Sequence, residues 1–466
     1  MSRINEVVKA LTQSRRMYQR IMKRKRYTKF YTNEIYTPGQ KANTPGQKAN
    51  TPGQKTPDAA AAETAAPENV LAGGDNLEYM EYLLKEKNMA GKIQLIYVDP
   101  PFFSNSKYQT SVRLQSDKLG LSPYIKTGAY DDTWEDSLQQ YLAMLGVRFM
   151  LMKELLADTG CIWVHLDWHS SHYMKTLLDE IFGYDNFVNE VVWNYKSGGA
   201  SKRSFARKHD TLLFYSKSNQ YKFHPLKEKS YNRDMKPYRF KNVEEFQDEL
   251  GWYTMVNMKD VWTIDMVGRT SRERTGYATQ KPEKLLERIV QACSDEGDLC
   301  ADFFSGSGTM GVVCERMNRP WIMCDEGEVS VSSQIRRFMN TKMENDKRFG
   351  AFAVVRNEKD PDEALSRLVR CSEEMGCLRI TDYVPDVLKL SDADEDIALE
   401  YLHDDSRSCI DFWSLDPDYD GKVHRASEII RNTDFCTLPE GRLHVIGYDI
   451  FGNRFCWEEI DSYVGK

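Results

Sequence analysis

The chain has no run of 18 or more apolar residues, so no segment of it reads as a membrane span. Its first thirty residues are basic and polar and lack the apolar stretch of a secretory signal. No Gly-Lys-Ser or Gly-Lys-Thr occurs, which excludes the phosphate loop of an ATP site. Helicase and nuclease motifs are also missing. Cysteine is present but without pattern: the residues are scattered, and Cys293, Cys300, Cys314 and Cys324 sit inside apolar runs. The nearest two, Cys371 and Cys377, have neither zinc-ligand spacing nor a second pair to complete a site. These absences point to a cytoplasmic chain with reduced, buried thiols.

Charge is present, and its placement matters more than its sum. The net charge is −7, yet residues 196–241 carry 13 Lys/Arg against 3 Asp/Glu, and residues 1–30 carry 10 against Glu6 alone. The acidity lies after residue 350 and is densest at Asp392, Asp394, Glu395 and Asp396. Phosphate contacts are local, so an acidic total does not exclude nucleic acid.

Residues 1–36 read as a basic extension that opens in a helix, with Ile4, Val7, Val8, Leu11 and Met17 along one side. The unit Thr37-Pro38-Gly39-Gln40-Lys41-Ala42-Asn43 then repeats from Thr44, and in part from Thr51. With almost no large apolar side chains, residues 37–68 are expected to be a disordered linker. From Asn69 onward helical and strand patterns alternate. Helices are predicted to open near Asn76, Tyr141, His172, Pro282 and Gly308, and strands to close at Val98, Leu166, Tyr195, Tyr215, Phe304 and Cys324. That alternation predicts an α/β sheet over residues 69–345. Residues 217–275 lack clear periodicity and read as an insertion. Residues 346–466 read as an acidic accessory domain.

Two constellations carry chemistry. The apolar run Ile93-Gln94-Leu95-Ile96-Tyr97-Val98 ends in Asp99-Pro100-Pro101-Phe102. A carboxylate accepts a hydrogen bond from an exocyclic amine, prolines add carbonyls without competing N–H donors, and Phe102 offers a face for a heterocycle. Further on, Asp302-Phe303-Phe304-Ser305-Gly306-Ser307-Gly308-Thr309 is a strand entering a Gly-rich turn and a helix, a place that suits a nucleotide-like cofactor. The next strand, Trp321-Ile322-Met323-Cys324, ends in Asp325, where doubly wound folds hydrogen-bond ribose hydroxyls.

In that order, the two constellations resemble the permuted, beta-class amino-methylating DNA methyltransferases, whose catalytic motif precedes the cofactor motif. The family's Thr-Gln-Lys-Pro-Glu signature is met by Thr279-Gln280-Lys281-Pro282-Glu283. The resemblance covers roughly residues 69–335 and implies a Rossmann-like, S-adenosylmethionine-dependent methyltransferase fold with circularly permuted motif order, a small recognition insertion and an acidic C-terminal domain. It places Asp99, Pro100, Pro101 and Phe102 at the catalytic position. Phe304, Gly306, Gly308, Thr309, Asp302, Asp325, Thr279, Lys281, Pro282 and Asp75 fall to S-adenosylmethionine. Target recognition in this family lies between the two motifs, where Lys196, Lys202, Arg203, Arg207 and Lys208 interleave with Tyr195 and Phe205 as candidate contacts to double-stranded DNA.

The first-position Asp resembles adenine methylases, whereas cytosine amino methylases usually carry Ser there. The fourth residue is more often Tyr, and Phe102 keeps the ring while losing a hydroxyl. The implied function is site-specific methylation of a flipped adenine, as the modification part of a restriction-modification or related system. Cytosine amino methylation and a silent DNA-binding module are the rivals. Ile410-Asp411-Phe412-Trp413 and Asp416-Pro417-Asp418-Tyr419-Asp420-Gly421 look like tails of type III-like modification methylases. The resemblance is compatible with a homodimer and with a restriction subunit on a separate chain. His165, Asp167 and His169 alternate as metal ligands could, but the family carries a similar His-Leu-Asp-Trp segment without metal, so none is expected.

Overall fold

The structure, a computed structural model, describes residues 2–38, 67–115, 123–134, 137–196, 201–343, 348–357, 369–374, 377–385, 392–431, 436–437 and 442–458. The repeats lie outside the described residues. At the centre stands the strand Ile93–Val98, buried along its whole length. Burial on both faces explains why its sequence is a continuous apolar run and not an alternating one. Within it, Gln94 donates to the carbonyls of Thr159 and Cys293 at 2.9 and 3.3 Å.

Around this strand the sheet runs in the order Val261–Thr263, Phe187–Asn194, His209–Ser216, Leu156–Leu166, Ile93–Val98, Cys300–Asp302, Trp321–Asp325, Asn69–Gly73, Phe352–Arg356, Tyr31–Tyr36 and His424–Ala426. The stretch from Leu156–Leu166 to Phe352–Arg356 is parallel throughout. Strand His209–Ser216 is antiparallel to both of its neighbours. Helices Arg3–Lys23, Asn76–Lys85, Leu138–Leu155 and Ser171–Phe182 cover one face, against Ile96, Val98, Ile162 and Val164. Helices Glu283–Cys293, Thr309–Arg316 and Glu328–Asn340 cover the other, against Leu95, Tyr97 and Trp163.

From Ile93–Val98 the chain crosses to Leu156–Leu166 on one side, while from Cys300–Asp302 it crosses to Trp321–Asp325 on the other. These two adjacent strands form the topological switch point, and their carboxyl ends border the crevice where such folds bind ligands. Asp99 and the Asp302–Thr309 turn both stand there. Fold class and the predicted elements of this region agree with the sequence reading.

Three features differ from it. The N-terminal segment is not held apart on a tether. Helix Arg3–Lys23 packs on Leu138–Leu155, where Ser14 Oγ donates to the Ala10 and Ala143 carbonyls at 2.9 and 3.1 Å. Gly146 permits this approach, since a Cβ there would overlap Ser14 Oγ. Buried Glu81 receives Arg24 and Lys85, fixing the helix end. The docked face is Val7, Ala10, Leu11, Ser14 and Ile21, whereas Ile4 and Val8 of the expected side are exposed.

The C-terminal part also shares the central sheet, through Phe352–Arg356 and His424–Ala426. Glu34, on the N-terminal strand Tyr31–Tyr36, is fully buried and accepts from Tyr36, Tyr448 and Arg454 at 2.7, 2.8 and 2.9 Å. Burial alone would raise its carboxyl, but Arg454 and Arg356 hold it below the usual range. Beyond the sheet, Leu378, Ile380, Trp413, Val445 and Phe455 form a separate cluster that takes in Leu114 and Ile125.

Leu114 follows, and Ile125 lies within, a hairpin of Lys107–Arg113 with Tyr124–Asp131 that periodicity did not reveal. Most of its side chains are exposed or half-buried, so its pattern is weak. Within the insertion, Lys227–Tyr231, Glu245–Asp248 and Gly251–Asn257 make a small antiparallel sheet before Val261–Thr263 returns to the main one.

Candidate active site

Asp99 follows the last residue of the central strand, so the strand's register sets its position. One carboxylate oxygen, Oδ2, pairs with Lys281, whose side chain is buried to a similar degree. The other, Oδ1, is buried and has no hydrogen-bond partner among the described residues. A buried acceptor left open is costly unless a donor fills it.

Three residues on, Phe102 has its ring stacked on His165, centroids 5.8 Å apart and planes 30° from parallel. Lys281 also stands 5.4 Å from the Phe102 ring centre. His165 is fully buried, and its Nδ1 lies 2.7 Å from the Tyr97 hydroxyl and 4.0 Å from Asp99 Oδ1. Its Nε2 lies 3.2 Å from Asp210, which also accepts from Tyr195 at 3.1 Å. Burial alone would raise the Asp210 carboxyl, yet the hydrogen bond and charge of His165 bring it below the usual range. His165 thus sits in a packed polar network of Tyr97, Asp210 and Tyr195.

The turn after Asp99 is shaped by a residue the sequence reading missed. The Asp132 carboxylate accepts from the backbone N–H groups of Phe102, Phe103 and Ser104 at 3.1, 3.1 and 2.7 Å. It also accepts from Ser104 Oγ at 2.7 Å and Trp134 Nε1 at 2.8 Å. Tyr141 adds a bond to the Pro101 carbonyl at 2.7 Å. Phe103 and Asn105 have positive φ, 65° and 51°, so this turn depends on those anchors. The only sequence hint is Asp131-Asp132-Thr133-Trp134, an acid pair beside a tryptophan.

On the neighbouring strand ends, burial pushes the Asp302 carboxyl well up, and Asp302 accepts from Phe304 N at 2.9 Å. Asp325 is raised to about 6, again chiefly by burial, and accepts from Gly306 N and Gly327 N at 2.8 and 2.9 Å. Gly306 and Gly308 have φ of 47° and 74°. At Gly308 a Cβ would meet Gln334 and Phe338 at 2.9 Å, so glycine is required there for both reasons. Tyr97, Asp99, Tyr277, Lys281, Phe304 and Gly306 line the cleft between the two carboxylate strands.

Other expected cofactor residues have structural partners. Asp75 caps helix Asn76–Lys85, accepting from Leu77 N and Glu78 N, and pairs with Arg148 at 3.0 Å. Thr309 is buried, donates to the Lys281 carbonyl at 3.2 Å and accepts from Arg337 at 2.9 Å. Pro282 is the cap of helix Glu283–Cys293, and Thr279, with φ of 56°, bends the chain toward Lys281.

The basic candidates gather on the connection between Phe187–Asn194 and His209–Ser216. Lys196 pairs with Asp265 at 3.7 Å, and the Arg207 guanidinium lies 3.7 Å from the Trp168 ring centre. Lys202 and Arg203 are exposed, and the Lys208 carbonyl accepts from Tyr195 N at 3.0 Å.

Residues 93–335 match the DNA methylase family of N6 and N4 methyltransferases. The chain belongs to that family, whose methyl donor is S-adenosylmethionine. It is 27% identical over 233 residues to the type II methyltransferase M.HpaI of Haemophilus parainfluenzae, a match covering 50% of this chain and 64% of that one. With M2.DpnII of Streptococcus pneumoniae the identity is 27% over 264 residues, 55% of this chain and 84% of the other. M.EcaI of Enterobacter cloacae is likewise matched over 65% of its length, so the chain spans somewhat under two thirds of two of these relatives. Among solved structures, the cytosine-N4-specific PvuII DNA methyltransferase aligns with a TM-score of 0.40 at 17% identity, covering 60% of this chain and 89% of that one. A DNA modification methylase from Thermus thermophilus, complexed with S-adenosyl-L-methionine, aligns at 0.36 and 14% identity over 61% and 97% of the two chains.

Proposed function

We propose that the protein transfers a methyl group to the exocyclic amino group of a flipped adenine in duplex DNA, as the modification part of a restriction-modification or related system. The observation that carries this reading is the open, buried Oδ1 of Asp99, 4.0 Å from the His165 ring on which Phe102 stacks. An amine placed there gives one proton to Asp99 while its ring stacks on Phe102. Holding the amine in line is worth more than any acid–base step, because its lone pair is otherwise delocalised into the ring. The target amine is enclosed in a stacked duplex, so the base must leave it. Stacking at about 1–3 kcal/mol per base offsets part of that cost. The aspartate in first position favours adenine over cytosine.

The residues present fit S-adenosylmethionine. Asp325 suits the ribose hydroxyls, the Gly306–Gly308 turn admits a close backbone approach, and the Lys281 ammonium suits the carboxylate of the amino-acid end. The cofactor supplies an activated methyl group on a sulfonium. Ribose hydroxyls bind an ionised carboxylate more strongly than a neutral carboxyl, and burial raises the Asp325 carboxyl to about 6. Cofactor affinity is therefore expected to stay level above pH 7 and to fall as pH drops through 6, read by calorimetry at pH 7.5 and 5.5. A Kd that ignores pH would remove Asp325 from the ribose.

Methylation-sensitive sequencing of DNA from an expressing host tests the whole reading. Modified adenine at one recurrent sequence is expected, and modified cytosine would select the rival. Neutralising Lys202, Arg203, Arg207 and Lys208 together is expected to weaken DNA binding on all sequences. It should also flatten the log–log salt dependence by roughly 0.9 for each phosphate no longer neutralised. An unchanged slope would make these residues a merely solvated loop.

A further inference from the structure

Extruding a base leaves a gap in the duplex, and an apolar side chain inserted there offsets the lost stacking. The connection that carries the basic residues is placed to supply one. Asn194 pairs with His209, so this connection closes a hairpin. Strand Phe187–Asn194 is antiparallel to the same neighbour as Leu156–Leu166, so the two run in one direction. The hairpin therefore leaves the carboxyl edge of the sheet, the edge that bears Asp99.

Two ties fix it to the site. At its root Tyr195 donates to Asp210, which holds His165 against the Phe102 ring. Further along, the Arg207 guanidinium lies 3.7 Å from the Trp168 ring centre, and the Trp168 and His169 ring centres are 3.7 Å apart. Near the tip, Ser201 Oγ accepts from Arg203 N and Ser204 N at 3.3 and 3.2 Å, giving the backbone a local turn. Between this turn and the Arg207 anchor stands Phe205, whose side chain is 98% exposed. It contributes nothing to a core, and cations flank it on both sides.

We propose that Phe205 is the wedge that enters the base stack where the target base has left, while the neighbouring Lys202, Arg203 and Lys208 hold the flanking phosphates. The proposal rests on the reading of the protein as a methyltransferase of flipped bases in duplex DNA. Full exposure makes the test clean, because Phe205→Ala removes no packing.

The test compares a duplex bearing the sequence found by methylation sequencing with the same duplex carrying an abasic site opposite the target base. Phe205→Ala is expected to lower kcat/KM at least about 10-fold on the paired duplex and less than 3-fold on the pre-opened one. Phe205→Leu should restore most of the loss. With 2-aminopurine at the target position, the rise in fluorescence on binding should shrink in Phe205→Ala and return in Phe205→Leu. Equal losses on both duplexes, or none on either, would overturn the wedge. If the wild-type protein methylates neither duplex, the underlying reading fails, and the wedge falls with it.

Discussion

Replacing Asp99 by alanine is expected to reduce methyl transfer by at least about 100-fold, the range seen when one preorganised polar contact to a reacting group is removed. Cofactor affinity should change far less, because the Gly-rich turn and Asp325 remain. The structure adds one complication. Asp99 also balances Lys281, whose side chain is largely buried. Alanine leaves that ammonium without its partner, so a displaced Lys281 contributes to any loss. Asp99→Asn keeps an oxygen for Lys281 and separates the two effects. If the asparagine variant binds cofactor, melts as the wild type does and remains fast, Asp99 does not hold the amine.

Asp132→Asn should have the second largest effect, although Asp132 touches neither substrate nor cofactor. Five donors converge on its two oxygens. An amide can offer only one oxygen to them, and its NH2 then faces N–H or O–H groups. Each buried donor left unpaired costs about 1–3 kcal/mol, so the turn should rearrange and carry Phe102 away from His165. A kcat loss of roughly 100-fold with a near-normal cofactor Kd is expected from single-turnover and binding measurements. Loss of cofactor binding as well would show that Asp132 supports the whole domain rather than this turn.

The contrast between these two aspartates shows what a sequence discloses. Asp99 is legible because its neighbours are Pro, Pro and Phe, and because an apolar strand leads into it. Its chemistry is local. Asp132 works through groups 28 to 30 positions earlier in the chain, and no local pattern marks it. The parallel strands and the Gly-rich turn were readable for the same reason as Asp99. Lys281 was assigned by resemblance to the cofactor, and only the fold brings it onto Asp99 across the switch point. The apolar side of the N-terminal helix was readable but its docking was not, because the partner helix lies more than 100 positions later. Strand Tyr31–Tyr36 was missed because its buried Glu34 is matched by Tyr448 and Arg454, more than 400 positions later.

That strand changes the meaning of the repeats. Tyr36 is in register with Phe352, and Phe352 with Asn69. The chain therefore leaves the sheet and re-enters it only two strand spacings away, about 10 Å. The seven-residue units are inserted between fixed posts that already lie close together, so they do not carry a domain out to a distant contact. One more unit between these posts adds roughly 0.2 kcal/mol of closure entropy. Each unit corresponds to 21 nucleotides, so copies can be gained or lost in frame with almost no penalty to the fold. The segment is a place where the gene can stutter and the enzyme will not notice.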